Sequence, residues 1–260
     1  MPKAVWKGSI SFGLVNIPVM LYTATKEKQI SFKLVHSKCK TPIKYQRYCE
    51  KCKETVGWDE IARGYEHKKG QFVILEKEDF ERIPIKTAKT IEILGFVKQG
   101  EIDPIYFESS YQVAPVAGGE EAYILLRDVM GEMERVAIGK ITIHEKEHLV
   151  AIRNYQDILL LHTMRWPEEI KDIDFEVPKV KISKEEFEIA AQLIERKIKA
   201  FNPEEYKDEY REALLELIKA KIEERPLPPA KVEVKKAKDL MELLKKSLEE
   251  EKEKKKKEKD

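Results

Sequence analysis

The chain has 260 residues, 42% of them hydrophobic and 37% charged, with 49 Lys+Arg against 48 Asp+Glu. That apolar share can bury a sizeable core and excludes wholesale disorder, and the length suits one large domain or a core with appendages. No apolar stretch approaches the ~20 residues of a membrane helix, and Met1–Lys7 opens no continuous apolar run with a cleavage site, so a cytoplasmic protein is expected. The near-neutral total conceals a polarity. Residues 1–60 hold 11 Lys+Arg and 5 Asp+Glu, residues 231–260 hold 12 and 9, and the middle of the chain is acidic. A basic N-terminal segment on an acidic body points to a polyanion partner. A solvated surface of uneven charge is the alternative.

Residues 4–36 alternate apolar and polar side chains in three runs, around Trp6–Phe12, Ile17–Tyr22 and Ile30–Val35, broken by Gly8, Gly13 and Asn16. These read as strands. Residues 70–76 and 90–98 are two more, with one or two helical turns over 77–83. Pro104 and Pro115 make 101–118 read as irregular extended chain. Ala122, Leu125, Leu126, Val129 and Met133 fall at helical spacing, predicting a helix over 120–133. Strands over 136–143, 149–154 and 158–163 follow, then a proline-flanked loop over 165–182.

At Ser183 the pattern changes. Ser183-Lys-Glu-Glu186 is a capping box, in which a hydroxyl and a carboxylate three residues apart satisfy each other's backbone N–H. One helix follows to about residue 200, and Asn202-Pro203 predicts a second over 203–224. Arg225-Pro-Leu-Pro-Pro229 is a stiff break. Asp239 is expected to cap a last amphipathic helix bearing Leu240, Leu243, Leu244 and Leu248, before a Lys/Glu tail. The fold class is therefore mixed β + α: a β-barrel core with extended bridging segments over 1–182, a helical C-terminal arm over 183–224, and a flexible charged tail over 225–260. Many short strands favour a barrel because closure removes exposed edges.

All three cysteines lie in one window: His36-Ser-Lys-Cys39, then Cys49-Glu-Lys-Cys52. Two-residue spacing lets both ligands of each pair face one tetrahedral ion, so structural zinc is expected on His36, Cys39, Cys49 and Cys52. Incidental cysteines, or a decayed site, are the alternatives. His144-Glu-Lys-Glu-His148 matches the metalloprotease motif formally, but β-branched alternation on both sides makes it a hairpin loop in which the two histidines diverge. No phosphate-binding loop, dinucleotide fingerprint or nucleophile elbow is present. No enzyme is indicated; the chain reads as a binder.

Trp6-Lys-Gly-Ser-Ile-Ser-Phe-Gly-Leu-Val-Asn-Ile-Pro-Val19, Trp58-Asp-Glu-Ile61, Pro104-Ile-Tyr-Phe-Glu-Ser-Ser-Tyr-Gln-Val-Ala-Pro115 and Phe201-Asn-Pro-Glu-Glu-Tyr-Lys-Asp-Glu-Tyr-Arg-Glu-Ala-Leu214 closely resemble the prokaryotic Ku proteins of non-homologous end joining. The likeness runs in order over about residues 3–224. It implies a homodimeric ring of barrel cores with crossing helical arms that threads double-stranded DNA ends without reading sequence, serves double-strand break repair, and recruits an ATP-dependent DNA ligase of the ligase D type.

On that reading Lys7, Lys26, Lys28, Lys33, Lys38, Lys40, Lys44 and Arg47 are the group expected to hold phosphates, because sequence-independent grip is electrostatic. Phe187, Ile194, Tyr210 and Leu217 are expected at the dimer contact. Leu240, Leu243, Leu244 and Leu248 are expected to dock the ligase, with packing on the chain's own body as the alternative. The competing function is a zinc-ribbon scaffold or transcription-associated protein that binds other proteins.

Overall fold

The computed structural model describes residues 3–83, 89–226 and 244–248. The chain forms two compact units, Met1–Ile173 and Asp174–Asp260.

The first unit is built on β1 (Trp6–Phe12), β2 (Val15–Thr23), β7 (Thr90–Lys98), β8 (Phe107–Pro115), β9 (Arg135–Ile143), β10 (Lys146–Tyr155) and β11 (Ile158–Met164), with helix α2 (Glu120–Glu132) between β8 and β9. They close in the order β1-β2-β8-β11-β10-β9-β7. All neighbours are antiparallel except β1 and β7, which meet in parallel at Ser9↔Thr90, Ile10↔Ile91 and Ser11↔Glu92. The remaining elements, the two-residue strands β3 (Tyr48–Cys49) and β4 (Glu54–Thr55), the strands β5 (Arg63–Lys68) and β6 (Gln71–Leu75), and helix α1 (Lys77–Glu81), lie on the excursion between β2 and β7.

Alternation fills the barrel. Ile10, Val19, Leu21, Ile91, Val150, Ile152, Leu159 and Leu161 are fully buried and form one cluster. On α2, Tyr123, Leu126 and Met130 join that core. The Tyr123 hydroxyl donates to the Val113 carbonyl at 2.7 Å and accepts from the Leu159 N–H at 2.8 Å. Val113 and Leu159 are register partners, so one phenol ties the helix to the β8–β11 seam. Two glycines permit close approach: a Cβ on Gly8 would meet the Lys89 carbonyl and the Trp6 ring, and one on Gly139 would meet the Glu92 carbonyl.

At the β8–β11 bulge, the Thr163 hydroxyl accepts from the Ser109 N–H at 3.1 Å. Beside it, His162 Nε2 accepts from Arg153 Nε–H at 2.9 Å, leaving Nδ1–H to donate to Ser110 Oγ at 2.9 Å. Burial, then the Arg153 charge, holds the His162 pKa below its ordinary 6.5.

The 144–148 segment is a hairpin, as expected. His144 and Glu145 have φ of 50° and 62°, and Ile143 pairs with Lys146. Two left-handed residues in a two-residue loop make the turn that matches strand twist.

Three expectations need correction. Ile30–Val35 is not a strand; its one bridge is Val35↔Pro42, and Phe32, Leu34 and Val35 are exposed. Alternation reports fitness for a pleated surface, not a partner to pair with. Conversely, 107–115 is a regular barrel strand. Pro104 opens a short 3₁₀ turn whose N-cap Asp103 accepts from the Ile105 N–H, and Pro115 is the last strand residue, so neither interrupts the ladder.

In the second unit, α3 (Lys184–Lys197) starts at the Ser183 capping box as read. The following helix does not start at Pro203: Asn202 caps a 3₁₀ turn over Pro203–Glu205, and α4 (Glu209–Ile222) starts under Asp208, whose carboxylate accepts from the Arg211 N–H. Lys199 pairs with Glu205, and Phe201 stacks on Tyr206 at 5.6 Å, which holds that turn apart from the helix. No helix among the described residues is long and apolar enough to cross a membrane.

Two outcomes follow from the core. Tyr123→Phe leaves a buried carbonyl and a buried N–H without the phenol, and should cost about 1–3 kcal/mol in urea unfolding. His162, whose folded pKa is depressed, binds fewer protons folded than unfolded. Its stability contribution is complete above the ordinary value of 6.5 and is lost as pH falls through and below it. The urea midpoint should therefore drop between about pH 7.5 and about pH 5.5, and His162→Gln should flatten that drop. His148, also lowered chiefly by burial, carries the remainder.

Candidate nucleic-acid interface

The excursion leaves β2 after Thr23 and returns at β7 from Thr90. Trp6 pairs with Leu21 on one side of β1, and Ser9 pairs with Thr90 on the other. The excursion therefore departs and returns on either side of one strand, at one rim of the barrel. Residues 24–47 run extended across the surface, and nearly every side chain there is exposed.

Seven of the eight expected cations, Lys26, Lys28, Lys33, Lys38, Lys40, Lys44 and Arg47, sit on this stretch; Lys7 is on β1, and all eight are exposed. None forms an ion pair among the described residues. Elsewhere on the unit, Arg63 pairs with Glu145, Lys140 with Glu147 at 3.6 Å, and Lys146 with Glu169 at 3.3 Å. Seven such cations thus share one stretch of 22 residues, from Lys26 to Arg47. Arg47 is further committed: its guanidinium lies 3.3 Å from the centroid of the exposed Trp58 ring. That contact turns a flexible cation into a fixed platform.

The ribbon of β5 and β6 extends the excursion and exposes residues on both faces. Lys68 and Lys69 stand at its tip beside Gly70, whose φ is 77°. Sequence reading missed β5 because a strand with no buried face has no apolar alternation. The basic doublet before a glycine was the available signal.

The histidine and cysteines form two similar turns. The Lys40 N–H donates to the His36 carbonyl, and the Lys53 N–H to the Cys49 carbonyl, both at 2.8 Å. Lys40 and Lys53 each take φ of 58°. Lysines there adopt the left-handed geometry that usually favours glycine. Val35↔Pro42 closes the first turn, and Tyr48↔Thr55 and Cys49↔Glu54 close the second.

His36 Nδ1 lies 3.1 Å from Cys39 Sγ. Hydrogen bonds from Thr41, first its side chain and then its backbone, and from His36 lower the Cys39 pKa to about 7. The Cys52 backbone N–H lowers that of Cys49, whereas the neighbouring Cys49 thiol raises that of Cys52. Donor chemistry and local turns fit a tetrahedral thiophilic ion. Placement does not: among the described residues no three His, Cys, Asp or Glu side chains converge on one point, and the four ligands stand as two pairs.

In the second unit, Phe187, Ile194 and Tyr210 are 69%, 66% and 78% exposed, and Leu217 is half-buried. Helix α3 has no buried residue and α4 has only Ala220. Leu244 and Leu248 are half-buried in a helical turn over 244–248, and Lys245 pairs with Glu185 of α3 at 3.0 Å. Asp239, Leu240 and Leu243 lie outside the described residues.

Comparison with known proteins adds the family. The Ku70/Ku80 beta-barrel domain matches residues 11–189. A protein of Archaeoglobus fulgidus named non-homologous end joining protein Ku is 44% identical over 95% of this chain and 98% of its own length. The protein of that name from Heliobacterium modesticaldum is 39% identical over 98% of this chain and 95% of its own. One from Symbiobacterium thermophilum is 43% identical over 95% of this chain, which spans 62% of that relative's length.

Proposed function

The chain belongs to the Ku family, and from that premise we propose that it binds double-stranded DNA ends without sequence preference, as a homodimeric ring, in repair of breaks by non-homologous end joining. Its role is to hold the end; it is not a catalyst. The observation that carries the reading is the coincidence of family with electrostatics: eight exposed cations without an ion-pair partner among the described residues, seven of them on the excursion that leaves the barrel rim.

Such a surface grips phosphates by releasing condensed counterions, so affinity falls steeply with salt and carries no sequence information. End preference comes from topology, because a closed ring admits only a free terminus. Closure needs a second copy. The apolar side chains Phe187, Ile194 and Tyr210 are too exposed for a monomeric arm at rest in water, and Leu217 lies on the neighbouring helix. Obligate interfaces of this type bury more than about 2,000 Å².

The tail leucines Leu240, Leu243, Leu244 and Leu248 remain the segment we assign to docking an ATP-dependent ligase of the ligase D type. The Lys245–Glu185 pair and the half-burial of Leu244 and Leu248 favour a second reading, in which this turn packs on the chain's own arm until a partner displaces it.

We also assign structural zinc to His36, Cys39, Cys49 and Cys52. Bound there, the ion would supply cross-linking of two turns that have almost no buried core of their own. The paired turns and the acidified Cys39 support this; the separation of the pairs requires the ion to draw them together.

Two experiments test these readings. Linear duplex should bind well and covalently closed circles poorly. Replacing Lys26, Lys28, Lys33 and Lys44 by alanine, which removes two copies of each from the dimer, should flatten the slope of log affinity against log salt by up to ~7. Equal binding of circles, or an unchanged slope, would refute the assignment. Elemental analysis should find about one zinc per chain, reduced by Cys49→Ser. A content near zero in chelator-free protein would exclude the ion.

A further inference from the structure

The barrel carries a second surface that neither DNA nor zinc accounts for. Helix α2 has apolar residues at Ala122, Leu125, Leu126, Val129, Met130 and Met133, an arc wider than the barrel can cover. Leu126 and Met130 enter the core. Leu125 and Met133 are left 65% and 60% exposed, and Val129 stands between them. Facing them are Phe12 and Val15 at the β1–β2 hairpin and Phe96 of β7, with Phe12 and Phe96 edge-to-face at 5.4 Å. Together they line an apolar groove of 460 Å³, about 16 Å long at 1.5 Å per helical residue.

The groove has a polarity along its length. At the Met133 end it shares Met130, Met133 and Arg135 with an adjoining pocket of 610 Å³. Lys98, Arg135 and Arg153 line that pocket against the single carboxylate of Glu134. Lys98 and Arg135 are register partners on neighbouring strands, and neither forms an ion pair among the described residues. Asn154, also on the pocket wall, keeps a buried Oδ1 with no hydrogen-bond donor.

We propose that this groove docks an amphipathic helix of a partner protein, one with large aliphatic residues at i, i+3 or i+4, and i+7, followed by carboxylates. Charge complementarity fixes the occupant's direction. The aliphatic stripe lies along Leu125, Val129 and Met133, and its acidic end enters the pocket at Arg135 and Lys98. A helix-in-groove contact of about three turns matches the available length. Methionines at the junction adapt to varied aliphatic side chains.

The inference is independent of end binding and is tested separately from it. Two fluorescein-labelled synthetic helices with the same leucine stripe, one ending in three glutamates and the other in three lysines, are titrated into the full-length protein by anisotropy. The acid-ended helix should bind about tenfold tighter or more. Leu125→Asp, at a position too exposed to disturb the core, should abolish binding of both. Arg135→Glu should cancel or reverse the preference. Linear-DNA binding by both variants should match the unaltered protein. Equal binding of the two helices, or a preference that survives Arg135→Glu, would overturn the proposal. A change of oligomeric state in Leu125→Asp would also overturn it, by giving the groove to a second copy of the chain.

Discussion

The parallel contact of β1 with β7 is the constraint on which the first unit depends. Six of the seven strand junctions are antiparallel; this one closes the circle. Ile10 and Ile91 are opposed there and fully buried, and the Ser9 N–H reaches the Lys89 carbonyl at 3.0 Å. Gly8 is needed because a side chain there would collide with that same carbonyl. Without the seam, β1 and β7 would be free edges, each a template for association with another chain. With it, the excursion between β2 and β7 has two fixed anchors, and the cations it carries have a fixed origin.

Charge is divided along the same line. On the barrel, Arg127, Lys140 and Lys146 lie beside carboxylates, and such exposed pairs contribute little to stability. Their effect is to lower the field locally, around those three cations. On residues 24–47 no such pairing occurs among the described residues, so seven cations there keep their full charge. A run of unpaired cations on one segment of a chain whose middle is acidic draws a polyanion to that segment.

Much of this was legible in the sequence. The barrel strands at 6–23, 90–98 and 136–164, helix α2 and the Ser183 capping box follow from period and cap chemistry, because each has one buried face or one local partner. The failures share a cause. Ile30–Val35 has the alternation of a strand without a neighbour to pair with, whereas β5 has a neighbour without alternation. The proline-bounded β8 was obscured because Pro104 lies just ahead of the strand and Pro115 is its last residue, where a missing N–H is tolerated, and composition does not resolve such positions. For the site, the grouping of the cations and the pairing of the cysteines could be read. Whether four ligands meet is a long-range question, and the groove beside α2 was hidden because Leu125, Val129 and Met133 look like core residues until the barrel is seen to be full.

The rim attachment of the excursion has an evolutionary corollary. Its two ends are pinned on either side of a single strand, so the barrel registers only their separation, not the length of chain between them. Closing a loop twice as long costs only about 0.6 kcal/mol more. Insertions and deletions over residues 24–89 are therefore almost invisible to the core. Natural selection can resize whatever this segment encircles, residue by residue, while the seven-stranded frame stays as it is.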